Sequence, residues 1–516
     1  MPQIPAPMLH TRLLLLLTLA QAGRLAAQTA SPYVPLQYWG MPYVEHLIAA
    51  GVMADPTPLT RPLRRADLVR ALHDVDTLTT GRPVKETVRR LLAALESPAS
   101  GPHYRLDADL GVSAATYARR DPLSGVDSSG PRQAGPGHTF VSSGLAVELD
   151  IGGAVAVTHP YFDTRLKYDP DWYGKKDRQI AGRTAESYIS AQWRLAEIFF
   201  GRMDRNWGPS DVQGLLLSDN PYGLDHLGLM LGTRRVQLQA VVTQLDTRTD
   251  STGAAQNRYM VQHRLLARPS HRWSVALWEG SVLSGRDRQL EPWYLNILNV
   301  GYLEQLNSGT NVNSFVGLDF ERHSPVTVFG QFMLDDIQVD HRTPHDLKPS
   351  SYGLTVGATS GLWLAPATWR LYYTRVTNLT YRNEDNLQVP LYHLLGTGRN
   401  FDDYDQATLR VSIIPVPGLL LEPELTVLRQ GEGDPRLPHP AEAQFPTTPT
   451  IFQGVVERTL RGALGGSYAP DARLGLRWDA GVHRIANYQH VTGAHRTRPV
   501  ASIALTYRLR KESALP

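Results

Sequence analysis

Cysteine does not occur anywhere in the 516 residues, which excludes disulfides and a lipid-modified N-terminal cysteine. Net charge is nearly absent too: 52 Lys and Arg face 49 Asp and Glu, leaving +3. A balance this even argues against nucleic acid as a partner, because phosphate binding rests on a basic excess. Past the N-terminus no apolar run approaches the roughly 18 to 20 residues of a helical membrane span.

The apolar run that does occur comes first. His10 and Arg12 precede residues 13 to 20, and the small residues Ala22, Ala26 and Ala27 follow. This order reads as a secretory signal over 1–27, with cleavage after Ala27 favoured over Ala22 by the glutamine that follows.

From about residue 103 the chain alternates apolar and polar side chains with period 2. Leu474, Leu476, Trp478, Ala480 and Val482 share one face, and Arg473, Arg477, Asp479 and His483 share the other. Ile189, Ala191, Trp193 and Leu195 likewise oppose Ser190, Gln192 and Arg194, while Val236, Leu238, Ala240 and Val242 oppose Arg235, Gln237 and Gln239. Such strands suit a wall with lipid on one side and water on the other.

Connection lengths turn this wall into a barrel. Short turns are expected at Gly152-Gly153, Ala196-Glu197, 268–271, 322–325, 365–367, 415–418 and 469–472, with a weaker one at Gly232-Thr233. Long polar stretches such as 118–138 and 160–183 separate them. The expectation is an all-β antiparallel outer-membrane barrel over 101–516, with about 18 strands, or 16 without the weaker turn. The last outward row is Ala501, Ile503, Leu505, Tyr507 and Leu509, with Tyr507 as its aromatic anchor and a tail from Arg510.

Residues 28–100 read differently. Stripes of Val44, Leu47, Ile48 and Val52, of Ala66, Leu68, Val69 and Leu72 behind Pro62, and of Val88, Leu91, Leu92 and Leu95 behind Pro83 give three short helices. They make a small periplasmic domain that packs on something larger.

The densest segment is Gly201-Arg202-Met203-Asp204-Arg205-Asn206-Trp207-Gly208-Pro209, followed by Leu215-Leu216-Leu217-Ser218-Asp219-Asn220-Pro221. It resembles the GR-x4-WGP and SNN-type segment of Wzi-type capsule assembly proteins. The opening with Tyr38, residues 43–47, Gly51 and residues 61–66 is also similar to that family. The resemblance implies an 18-stranded outer-membrane barrel with a periplasmic helical bundle, which retains capsular or extracellular polysaccharide at the cell surface and is not a catalyst. The polysaccharide-binding candidates are Arg202, Asp204, Arg205, Asn206, Trp207 and Asn220. Alternation sends Arg202, Asp204 and Asn206 into the lumen near its external mouth, where charged and amide groups bond sugar hydroxyls and Trp207 stacks on a pyranose.

No cofactor, metal or catalytic set is expected. Pro344 prevents the helix that would join His341 and His345, and Gly396-Thr397-Gly398 lacks the strand-to-helix setting of a nucleotide loop. Asp335-Asp336 and Asp402-Asp403-Tyr404-Asp405 read as solvated acidic patches rather than calcium sites. Two other functions stay open. One is a channel for sugars or anions lined by Arg194, Arg202, Arg235, Arg473 and Arg477; the other is a wall-linking protein, since residues 43–72 resemble an S-layer-homology module. The partners implied are polysaccharide, outer-membrane lipid, the barrel assembly machinery, and capsule export proteins or peptidoglycan.

Overall fold

A computed structural model describes residues 30–97, 101–123, 134–308, 312–337, 347–362 and 366–515. The signal segment expected over 1–27 and the pair His341 and His345 lie outside them.

The period-2 stretches form one continuous wall. Its first third is β1 (His103–Ala115), β2 (His138–Asp150), β3 (Ala154–Asp163), β4 (Ala181–Gln192), β5 (Ala196–Met203) and β6 (Leu224–Gly232). The second is β7 (Val236–Gln244), β8 (Ala255–Ser270), β9 (Trp273–Gly285), β10 (Val312–Arg322), β11 (Thr327–Asp336) and β12 (Ser351–Gly361). The last is β13 (Ala367–Val376), β14 (Tyr404–Val416), β15 (Leu419–Gln430), β16 (Glu457–Tyr468), β17 (Leu474–Ala486) and β18 (His495–Ala514). Each strand pairs antiparallel with the next, and β18 returns to β1, with His103 opposite Ala514 and Ala115 opposite Ser502. Closure at eighteen strands leaves no open edge.

The weaker turn is real, and it decides eighteen against sixteen. Gly232 takes φ +126°, a conformation that favours glycine, and Thr233 N donates to Val236 O at 2.8 Å. The turn expected at Ala196-Glu197 falls slightly earlier: Trp193 N donates to Ala196 O (2.8 Å), and β5 already starts at Ala196. The expected tail from Arg510 instead prolongs β18 to Ala514, because β1 is long enough to pair with it.

Face assignments follow the alternation. Leu474, Val482, Ile503, Leu505, Tyr507 and Leu509 are exposed on the outside, and His483 is buried inside. There Arg461 donates to Asp479 (2.6 Å) and Glu424 (3.1 Å). The eight short connections, two to five residues each, share one end with His103 and Ala514; nine connections of 8 to 27 residues occupy the other.

Three helices cap the short-turn end: α1 (Met41–Ala49), α2 (Arg65–His73) and α3 (Arg82–Leu95). α1 stops before the expected Val52 because Gly51 at φ +69° reverses the chain. α2 starts after Pro62 rather than on it, since Thr60 and Arg61 are extended in a two-residue ladder. α3 takes Pro83 into its first turn, where a missing N–H costs nothing. Their shared core of Tyr43, Leu47, Leu68, Leu72, Val88 and Leu91 includes Ile414 and Leu420, which flank a turn of the wall. Tyr43 Oη donates to Gly418 O (2.8 Å) and Arg90 Nη1 to Ala469 O (2.8 Å), fixing the cap to two turns.

Candidate functional site

β5 leaves the wall at Met203, and residues 204–223 fold inward before β6 begins. Asn206 and Trp207 pair antiparallel with Arg61 and Thr60. Asn206 closes the loop on itself: Nδ2 donates to Val212 O (2.9 Å) and Oδ1 accepts from Gly214 N (2.7 Å). Trp207 is buried in one cluster with Leu215, Leu216, Met260 and Trp278, and the Arg264 guanidinium lies 5.2 Å over its ring. Gly208 has φ +136°, and a Cβ there would lie 2.9 Å from the Gln331 amide, so the Trp-Gly-Pro turn requires glycine.

A second long connection, 377–403, meets the first inside the lumen. Thr397 Oγ1 donates to Leu216 O (3.0 Å), and Ser218 Oγ donates to Gly398 O (2.6 Å). A Cβ on Gly398 would stand 2.1 Å from Leu215 O. The Gly-Thr-Gly run is a backbone-to-backbone contact between two loops.

The six candidates part company. Arg202 extends the outward row of Ile198 and Phe200 and pairs with Asp225, so the lumen position expected for it does not hold. Phe199 takes the inward row instead, stacked on Tyr188 and His226. Phe199 and Phe200 are equally apolar, so the alternation that assigned Arg202 to the lumen has no polar partner here to fix which face is inward. Arg205 Nε donates to His226 Nε2 (2.7 Å), and its guanidinium lies 4.6 Å over Phe199. Asp204 accepts from Gln37 Nε2 (3.0 Å), and Asn220 Nδ2 donates to Gly396 O (2.7 Å). Arg205, Asn206, Trp207 and Asn220 are thus engaged in holding the inward loop.

Sequence reasoning missed an aromatic and basic cluster at the long-connection rim. Tyr173 stacks on His393 with centroids 4.0 Å apart, and Tyr392 meets it edge-on at 5.7 Å. Trp172 packs edge-on to Tyr222 (5.1 Å), Arg120 lies 4.1 Å over the Tyr222 ring, and the Tyr222 hydroxyl donates to Asp169. Lys175 and Arg178, which follow Trp172-Tyr173 in the same connection, are exposed, and Arg202 is within electrostatic reach of Tyr173 and Tyr392. Burial holds His393 below the ordinary imidazole value, so it is an uncharged ring near neutral pH. The sequence signal was Trp172-Tyr173 among the charges of a long loop.

Below the inward loops lies a polar chamber of about 280 Å³. Arg370, Arg410 and Arg477 line it from the wall, Asp211 and Asp219 from the loop, and His46 from α1. Arg410 donates to Asp211 and Glu424, both at 3.0 Å. Burial, with the Asp204 charge second, pushes Asp219 up to about 6, and burial pushes His46 down to about 4. Of the five arginines expected in the lumen, Arg477 is there; Arg194, Arg235 and Arg473 occupy turns. Asp335 accepts from Tyr381 N (2.8 Å) and Asp336 pairs with Lys348 (2.9 Å). Among the described residues no set of three His, Asp or Glu could hold a metal ion.

No model of a known protein family matches the chain, and no curated protein matches it. Among solved structures it aligns with Wzi of Escherichia coli, described as an outer-membrane protein involved in group 1 capsule assembly and as a carbohydrate-binding β-barrel. The alignment covers 94% of this chain and 100% of that one at 12% identity, with a TM-score of 0.60. The chain has a Wzi-like fold. OprD of Pseudomonas aeruginosa (12% identity, 79% and 95% coverage, TM-score 0.44) and OccAB4 of Acinetobacter baumannii (7%, 80% and 99%, 0.45) align more loosely. A Wzi-like frame with so few shared side chains leaves the chemistry to be read from the residues themselves.

Proposed function

We propose that the protein is an outer-membrane barrel that holds capsular or other extracellular polysaccharide at the cell surface, with the helical cap (28–100) in the periplasm and the long connections outside. The carrying observation is the lumen. Leu215, Leu216 and Leu217 of one loop and Tyr381 of the other form a buried cluster with inner-wall residues Met260, Phe315 and Met333, which is a packed core rather than a water path. Binding at a rim fits such a barrel; conduction through it does not. Carbohydrate binding in Wzi supports the same reading.

The rim supplies the chemistry. The half-buried Tyr173 and His393 pair offers aromatic surface for a pyranose to pack against, and Lys175, Arg178 and Arg202 supply charge-assisted hydrogen bonds to sugar carboxylates and hydroxyls. Each contact contributes on the order of 1 to 3 kcal/mol, and a repeating polymer held by many copies multiplies it. Asp204 and Asn220 shape the floor beneath. The barrel assembly machinery, capsule export proteins or peptidoglycan are the further partners of this reading.

The test measures cell-bound against released polysaccharide, normalised to folded protein in the membrane. Tyr173→Ala with Arg202→Ala should shed polymer while the barrel folds. Trp207→Ala should instead lower abundance, since emptying that site costs roughly 3 to 5 kcal/mol, and the protein that does insert should still retain polymer. Full retention by the Tyr173 and Arg202 variant overturns the reading. A channel is the competing reading, with the arginine-lined chamber as its support, and a stable open-pore current in a planar bilayer would favour it.

A further inference from the structure

One patch of the outer wall breaks the alternation. On β8 and β9, Leu265 lies opposite Leu277 in the outward row, and the next outward pair is His263 opposite Glu279. Leu277 is 57% exposed, whereas His263 is buried. Further along the same row Val261, Ser281 and Leu283 are buried as well, beside Val312 and Ser314 of β10. What covers them is the connection from β9 to β10. It folds back down the outside of the barrel as two short helices, α4 (Pro292–Leu295) and α5 (Gly301–Ser308).

The underside of this strap matches the wall. Tyr294 packs with Val261, Leu283 and Val312. Glu279 accepts from Gly301 N (2.8 Å), Tyr302 N (3.3 Å) and His263 Nδ1 (3.0 Å), so a carboxylate at mid-length of β9 finds its donors within the protein. Its upper side is mainly apolar: Trp293, Leu295, Leu298, Leu303 and Leu306 are all exposed, Leu298 by 75%, and Asn296 and Asn307 are the uncharged polar side chains exposed among them. Residues 289–321 contain no Lys or Arg. An element lying on lipid headgroups carries cations to meet phosphate, and one bathed in water does not expose a run of leucines. The apolar upper side is continuous with the outward row of Leu265 and Leu277, and it begins at mid-height of the wall.

We propose that residues 292–308 form a strap seated in the hydrocarbon of the leaflet at the long-connection end, meeting lipid acyl chains directly and sealing a His–Glu pair that would otherwise face them. A carboxylate bare in hydrocarbon is strongly unfavourable, and the strap gives it hydrogen-bond donors while keeping an apolar surface towards lipid. This rests on the membrane reading of the barrel.

The absence of cysteine makes the test direct. Full-length Leu298→Cys and Leu306→Cys, each labelled with an environment-sensitive fluorophore, are reconstituted in dioleoylphosphatidylcholine vesicles containing doxyl-labelled lipid. Leu277→Cys is the control on the bare wall and Leu78→Cys, 91% exposed on the cap, the control in water. All four side chains are exposed, and heat-modifiable mobility selects folded protein, so either strap position suffices if the other fails. Emission at 298 and 306 should be blue-shifted and quenched as strongly as at 277, several-fold more than at 78. Quenching no greater than at 78 overturns the proposal. Blue-shifted but unquenched emission, with disulfide-linked dimers of the unlabelled variants, overturns it in favour of a second copy as the cover. Loss of quenching at 277 as well would sink the membrane reading and this proposal together.

Discussion

His46 sits where the cap meets the wall, with Nδ1 at 3.0 Å from Ser412 Oγ and burial pushing its imidazole down to about 4 from 6.5. As pH falls through 6.5 the unfolded chain takes up a proton there and the folded chain does not. Cap stability is therefore lost between 6.5 and about 4, and levels off below. The loss is on the order of 3 kcal/mol at most. Asp219, pushed up to about 6, acts in the opposite sense over an overlapping window, so a global midpoint would mix the two. Hydrogen exchange of the α1 amides, corrected for intrinsic rates, separates them. Protection should fall from neutral pH to about pH 4.5 in the native chain and change little in His46→Gln. An equal fall in both would show that His46 is not the cause.

At the scale of elements, strands announce themselves and inward loops do not. A strand repeats its face every second residue, so β17 and β18 can be assigned from the sequence with their outward rows intact. The loop 204–223 has no period, and a long polar connection reads as solvated whether it waves outside or fills the lumen. Leu215-Leu216-Leu217 was the one legible hint, as Trp172-Tyr173 was for the rim. His263 and Glu279 are polar residues paired in an outward row, a signal of a covered patch that sequence reasoning did not use. Gly398 gives the junction between the loops a direct test. Gly398→Ala sets a methyl 2.1 Å from Leu215 O, so the loops must separate, with a penalty of roughly 1 to 3 kcal/mol. The barrel should stay heat-modifiable while limited proteolysis opens new cuts in 204–223 and 377–403. An unchanged digest would mean that the two backbones do not need each other.

For the whole molecule the wall is the dominant constraint. Trp478 faces outward over Gly466, and its neighbour Arg477 faces the internal chamber. Trp478→Arg should cost roughly 2 to 4 kcal/mol if its depth is near the bilayer midplane, because the charge meets hydrocarbon. Arg477→Leu should be milder, since it removes a charge from a polar cavity. Denaturant midpoints in lipid vesicles compare the two, and equal losses would contradict the face assignment.

The ladder between Asn206-Trp207 and Thr60-Arg61 joins a loop that enters from one rim to a segment that enters from the other. A barrel of this width usually keeps its two sides apart, and signals between them must bend the wall. Here the long-connection loop and the segment leading into the helical cap are joined down the middle, by two residue pairs with the Gln37–Asp204 hydrogen bond beside them, without a strand between. The pore has become an axle.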